Sequence, residues 1–252
     1  MLIVEKRGYC SIVTLDRVEA GNAINRALEQ ALFDALEAID RDETCRVGII
    51  AANGPIFCAG ADLKEVREKG NPRGTDAPAR ESIVSRAHVK PLIAAVDGAA
   101  LGGGMEIVLS CDMIVASTAA KFALSEVRWG LLASGGGMFR LARRLPRPIA
   151  AQILLTGAPI TAERGYALGF VNELFEPGQA LAGAMEIADR IAQNGPLAVR
   201  LTRKVMEDSA FMTEAEAWAL SRETVARNFA SQDAKEGPRA FAEKRAPIWT
   251  GA

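Results

Sequence analysis

Two glutamates, Glu106 and Glu126, stand among apolar and small residues in the stretch Pro91 to Gly137, PLIAAVDGAALGGGMEIVLSCDMIVASTAAKFALSEVRWGLLASGGG. A carboxylate in such surroundings has its pKa moved towards the range where it can give and take protons. The same stretch holds the triplets Gly102-Gly103-Gly104 and Gly135-Gly136-Gly137. Glu106 falls in the first turn of a helix expected over Gly103 to Ser110, whose start is built from glycine. Glycine there lets a ligand approach the backbone closely. The free N–H groups of that turn can receive a negative oxygen. Upstream, Phe57-Cys58-Ala59-Gly60-Ala61-Asp62-Leu63-Lys64 offers a second small turn leading into a helix. Two backbone N–H groups from separate turns are what an oxyanion hole requires. A plainer reading stands beside this one. Glycine triplets also mark turns and tight packing, and a first-turn Glu complements the helix dipole.

The elements that would position these residues follow from periodicity. Leu92 to Val96 reads as a buried strand ended by Gly98. Leu2 to Val4 and Ser11 to Leu15 read as strands around Arg7-Gly8-Tyr9, and Cys45 to Ala51 as another. Asn25 to Asp40 is an amphipathic helix with Leu28, Leu32, Ala35 and Ile39 on one face. Asp62 caps a short helix to Lys69. Residues 70 to 78, GNPRGTDAP, form a polar loop, and Ala79 to Val89 a helix. Met138 to Arg144, Arg147 to Thr156 and Thr161 to Leu168 are helical, and Phe170 to Phe175 is the last strand. Leu181 to Gln193, Leu197 to Asp208, Thr213 to Phe229 and Ala234 to Arg245 are helices. Strands alternate with helices early and helices dominate late, the pattern of an α/β core with a helical C-terminal part. No internal repeat is visible.

Composition excludes several classes. The chain has 252 residues, 49% of them hydrophobic, enough for one sizeable core. Its 30 Lys and Arg nearly balance 31 Asp and Glu, which argues against a nucleic-acid binder. Any anionic ligand must be met by a local cluster. Cys10, Cys45, Cys58 and Cys111 show no CxxC spacing, which argues against metal ligation and a disulfide framework. No apolar run reaches the roughly 18 residues of a membrane span, and no signal-peptide pattern opens the chain, so a cytoplasmic protein without membrane contact is expected. His88, the single histidine, is expected at a helix end, and alone it argues against Ser-His-Asp or Cys-His catalysis. GxxxxGK[ST] and GxGxxG do not occur, so nucleotide-binding loops are unsupported.

FCAGADLKE, then KPLIAAVDGAALGGGMEIVLSCD, then FALSEVRWGL with SGGGMFRL, resemble the signature of the enoyl-CoA hydratase/isomerase (crotonase) superfamily. The resemblance covers nearly the whole chain and is weakest from Val66 to Ser85. The tail, EGPRAFAEKRAPIWTGA, is similar to that of carnitinyl-CoA dehydratase-like members. The resemblance implies a spiral of ββα units over residues 1–190 and a C-terminal helical region, 191–252, that makes trimer contacts. It implies the N–H groups of Ala61 and Gly103 as oxyanion donors, and Glu106 and Glu126 as the acid–base pair. It implies coenzyme A contacts from Ala20, Ala59, Ala61, Asp62, Leu63 and Lys64, with Phe241 and Lys244 at the adenine end.

Those parts suit one reaction. A thioester carbonyl held by two N–H groups is more acidic at its α-carbon, because the enolate oxygen is stabilised. One carboxylate moves a proton at that carbon, and a second activates a water for attack at the β-carbon. The activity implied is reversible addition of water across the 2,3 double bond of an acyl-CoA thioester. Coenzyme A enters as part of the substrate, and no permanently bound cofactor or metal is expected. The alternatives are a double-bond isomerase, in which Glu126 shuttles a proton, and a non-catalytic acyl-CoA-binding protein. The implied assembly is a homotrimer or a dimer of trimers. Three departures from the family pattern concern the pocket: Ser125 before the second acid, Leu132-Ala133-Ser134 before the second triplet, and Val18-Glu19 in place of a Pro-Lys pair. They put the acyl group in doubt, not the acyl-CoA class.

Overall fold

Runs rich in valine and isoleucine form the strands of the first half. The computed structural model describes residues 1–69 and 82–251. The chain opens with the hairpin β1 (Leu2–Arg7) and β2 (Cys10–Leu15), turning at Gly8 with φ +58°. Helix α1 (Arg26–Arg41) follows, capped by the Asn25 side chain, which accepts from the Leu28 N–H at 2.8 Å. Next come β3 (Val47–Ala52), β4 (Ile56–Cys58) and α2 (Leu63–Lys69), then β5 (Leu92–Val96), β6 (Ala99–Leu101) and α3 (Gly103–Ser110). A third pass gives β7 (Met113–Ser117), β8 (Lys121–Ala123) and a 3-10 turn over Glu126–Trp129. After α4 (Gly137–Arg144) and α5 (Arg147–Thr156) come β9 (Ile160–Thr161), α6 (Ala162–Ala167) and β10 (Glu173–Phe175). The remainder is helical: α7 (Ala180–Ala192), α8 (Pro196–Asp208), α9 (Glu214–Phe229) and α10 (Asp233–Glu243).

Two sheets result, in the orders β1-β2-β3-β5-β7-β10 and β4-β6-β8-β9. The chain enters the larger sheet at β3, β5 and β7 and crosses each time to the smaller one at β4, β6 and β8. All of these neighbours pair in parallel within their sheet. This alternation is the spiral of ββα units that the resemblance implies. Gly98 sits at one crossing because a β-carbon there would collide with the Pro55 carbonyl.

Both faces of the larger sheet are covered at its central strands, so β3 and β5 are apolar throughout instead of alternating, whereas the edge strand β1 is exposed. Val13, Leu15, Ile50 and Ala94 face α1 and the smaller sheet. Ile12, Ile49, Ile93 and Val115 face Ala184, Ile187 and Ala188 of α7. The tail folds back on the helical region: Trp249 Nε1 donates to Gln193 O at 2.7 Å, and the N–H groups of Thr250 and Gly251 donate to Asp233. Among the described residues, no helix is long and apolar enough to cross a membrane.

Several sequence expectations need correction. The helix expected over Ala79 to Val89 is absent where the chain is described: residues 82–89 form turns and bends. His88 is therefore not a helix-end residue. It is buried at 8% exposure, because the neighbouring Arg86 and Asp40 ion pair draws the segment onto α1. The loop expected over 70–78 lies outside the described residues. The last strand is shorter than expected, Glu173–Phe175, since Phe170 and Val171 turn into the core as a loop. The strands β4, β6, β7, β8 and β9 were not anticipated.

Candidate active site

The site begins where β4 and β6 end side by side. Beyond β4, Gly60 takes φ +94°, a region an L side chain avoids. Ile24 then pairs with Ala61 as an isolated parallel bridge: the Ile24 N–H donates to Gly60 O at 2.7 Å, and the Asp62 N–H to Ile24 O at 2.9 Å. That register turns the N–H of Ala61 the other way. Beyond β6, Gly102 takes φ +52° as the cap of α3, and Gly103 opens the helix. The two turns nearly touch. A β-carbon on Gly60 would stand 3.3 Å from the Gly103 nitrogen, and one on Gly103 would stand 3.8 Å from the Ala61 nitrogen. The backbone hydrogen bonds of the described residues use neither the Ala61 nor the Gly103 N–H.

Each glycine of the first triplet has its own task. Gly102 bends the chain and borders the second acid: a β-carbon there would lie 3.1 Å from Glu126 Oε1. Gly103 opens the helix without a side chain, and one there would crowd Ile24. Gly104 is needed for packing, since a β-carbon would fall against the carbonyl of Cys58 in β4.

The acids differ in how they are held. Glu106 is buried at 2% exposure, and its Oε1 accepts from the Gly137 N–H at 3.0 Å. That donor opens α4 beyond Gly136, which takes φ +98°. The second glycine triplet therefore positions the first acid, a role that the sequence did not disclose. Glu126 opens the 3-10 turn after Ser125 and is half-buried. Ala133 packs under Gly137, whereas Trp129 is 73% exposed and Leu132 66%, so Trp129 is not a core residue.

Around Ala61 the expected coenzyme contacts gather on one side. The Ala59 N–H donates to Gly21 O at 2.9 Å, which seats Ala20 and Ala59 together. Asp62 caps α2 as expected, accepting from the Lys64 N–H at 3.2 Å, and Leu63 and Lys64 are exposed there. Asp62 also pairs with Arg17 at 2.8 Å, and the Arg17 bond holds its carboxyl below the usual range. Asn22, fully buried, accepts from the Arg17 N–H and donates to the carbonyls of Asn53 and Ile56. Arg17 and Asn22 support the turn and were missed, for neither belongs to a motif. Phe241 and Lys244 are not part of this group. They end α10, which packs on α9, and Phe241 is 87% exposed. The four cysteines are free and buried, and burial pushes the Cys10, Cys58 and Cys111 thiols up to about 12.

A family model described as enoyl-CoA hydratase/isomerase matches residues 5–252. The chain belongs to the enoyl-CoA hydratase/isomerase family. It is 41% identical over 251 residues to Enoyl-CoA hydratase EchA19 of Mycobacterium tuberculosis, covering 97% of this chain and 94% of that protein. It is 36% identical to Carnitinyl-CoA dehydratase of Proteus mirabilis, covering 97% and 96%. A crystal structure of an enoyl-CoA hydratase from Mycobacterium tuberculosis superposes with a TM-score of 0.94 at 42% identity, covering 100% of this chain and 99% of that one.

Proposed function

We infer that this family member is an enoyl-CoA hydratase-type lyase that adds water reversibly to a 2-enoyl-CoA thioester. One observation carries the reading: the Ala61 and Gly103 nitrogens flank the same pair of glycine turns, neither N–H donates to a backbone acceptor among the described residues, and Glu126 borders Gly102 beside them. A thioester carbonyl placed there accepts both donors, and the enolate formed on addition is stabilised where its charge develops. Water loses a proton as its oxygen bonds to the β-carbon, and the α-carbon gains one. Glu106 and Glu126 together take the first proton and supply the second, so the pair ends as it began. The balance needs no oxidant and no permanently bound cofactor.

Coenzyme A is assigned to the side formed by Ala20, Ala59, Asp62, Leu63 and Lys64. The working unit is assigned as a homotrimer, or two such trimers paired, in which Phe241 and Lys244 of one copy reach the adenine end in its neighbour. Support for this comes from α9, which buries none of its residues within the chain, and from Trp218, Phe229 and Phe241, which are all more than half exposed. Residues 1–190 are read as the catalytic spiral, residues 191–252 as the assembly region, and the compartment as the cytoplasm. Incubation of purified protein with a panel of enoyl-CoA esters tests the activity. Loss of the conjugated thioester absorbance is expected with at least one ester, and unchanged absorbance across the panel by folded protein overturns the reading.

A further inference from the structure

A cavity of about 560 Å³ opens at the carboxyl end of α3. Its walls come from residues 85–89, the end of α3 through Asp112, and parts of α4, α8 and α9. Neither Glu106 and Glu126 nor Ala61 and Gly103 line it. Eight of its lining residues are Arg or Lys and three are Asp or Glu, in a chain whose net charge is −1. Such an excess must be offset by something.

Ion pairs absorb part of it. Arg86 pairs with Asp40 at 2.7 Å, Arg203 with Asp112 at 2.8 Å, and Lys204 with Asp208. Among the described residues, Arg140, Arg143, Arg144, Arg200 and Arg227 have no carboxylate within ion-pair distance, and Glu207 is the one acid of the wall left to offset them. Arg144 donates to the Cys111 carbonyl and so caps the negative end of α3. Arg200 donates to Gly251 O at 3.1 Å. Arg143 holds its guanidinium carbon 3.9 Å from the Phe211 ring centroid, a cation–π contact. Burial depresses the pKa of Arg140 and of Arg144, so an anion between them would relieve a real cost.

His88 gives an independent sign. It lines the same cavity at 8% exposure. Its Nδ1 lies 3.3 Å from Arg86 Nη1, an atom that can only donate, so the neutral ring carries its proton on Nε2. That buried donor has no acceptor among the described residues. Buried donors are nearly always satisfied, and an orphan beside a cationic wall asks for an oxygen acceptor.

We propose that this cavity binds a small anion carrying two or more phosphates, of pyrophosphate to nucleoside-diphosphate size, at a site separate from the acyl-CoA site. Planar guanidinium groups match phosphate oxygens two at a time, and the volume falls in the range of small-ligand sites. The proposal does not depend on the hydratase reading.

The test uses the full chain at fixed ionic strength. Pyrophosphate and adenosine diphosphate are each titrated by calorimetry, with thermal stability and sedimentation followed alongside. One equivalent per chain and a raised Tm are expected from at least one of the two. The double variant Arg143→Gln with Arg227→Gln, at two exposed positions, should weaken that binding at least about tenfold while coenzyme A still binds. If the double variant misfolds, each single variant serves for the same comparison. Absence of binding by the wild-type chain overturns the proposal, and so does equal affinity in wild type and variant. A variant that changes only the association state, with no anion bound by wild type, assigns the arginines instead to acidic residues of a second copy and also overturns it.

Discussion

At its amino end α3 leaves backbone N–H groups without a backbone acceptor, whereas at its carboxyl end it meets arginine side chains. The helix that separates them has only eight residues and is about 12 Å long. At the amino end the donors are fixed by the turns of Gly60 and Gly102, so they need no reorganisation when charge develops. At the carboxyl end the charge is carried by long side chains from α4, α8 and α9 and depends on how those helices pack. The contrast separates two tasks. In the functions proposed for them, chemistry rests on backbone that cannot relax, and charge neutralisation on side chains that can.

Breaking the amino end should have the largest effect. Glu126→Gln is expected to lower kcat for hydration by about 10²–10⁴ while acyl-CoA binding is largely retained, and Glu106→Gln should do the same. Because both acids serve one addition, the double variant should be little worse than either single one. Steady-state assays of the three proteins decide this, and a Glu126→Gln enzyme with near-full hydratase activity would show that the second acid is misassigned.

The carboxyl end should fail through stability instead. Asp112 accepts from Arg203 Nε and from the Leu92 N–H, each at 2.8 Å, in a nearly buried pair. Asp112→Ala strands Arg203 and should cost about 3–5 kcal/mol of unfolding free energy. Denaturant titration measures the loss. A variant as stable as wild type would remove this ion pair from the account of how α3 is anchored.

Gly103→Val returns to the amino end and isolates the donors from the acids. A side chain there meets Ile24 and the ligand position, so kcat should fall by about 10²–10³ in a protein whose circular dichroism is unchanged. Full turnover in the folded variant would remove Gly103 from the oxyanion hole.

The smallest effect at neutral pH belongs to His88. Burial lowers its pKa from 6.5 to about 4, so the folded protein holds it neutral while the unfolded chain protonates it. Its contribution is complete above pH 6.5 and is lost as the pH falls through about 4, a total of about 3 kcal/mol. His88→Gln should flatten the stability profile across that window. A profile of unchanged slope would contradict the burial assigned to the ring.

The contrast between the two ends also explains what the sequence could disclose. Donors on backbone leave a trace as glycine spacing, and the bounds expected for α3 match those observed. The C-terminal helices were legible because each runs for at least 11 residues, and Thr213 with Glu216 forms the capping box that starts α9. The strands β4, β6 and β8 have three residues each, too few for any period to show. The Gly137 bond to Glu106, the Arg17 pair with Asp62 and the arginine cavity join residues far apart in the chain, where spacing carries no signal. His88 was misplaced for the same reason: burial by Asp40 and Arg86 is a tertiary effect that overrides the local pattern.

The spiral has a kinetic consequence. Ala61 and Gly103 follow strands of successive passes, so the proposed oxyanion hole does not exist until β4 and β6 have paired in parallel. Parallel pairing closes long loops before it is rewarded and is intrinsically slow. A partly folded chain can therefore hold native helices and both glutamates and still be inert. During refolding, recovery of turnover should lag behind helix formation and follow the phase in which the smaller sheet closes.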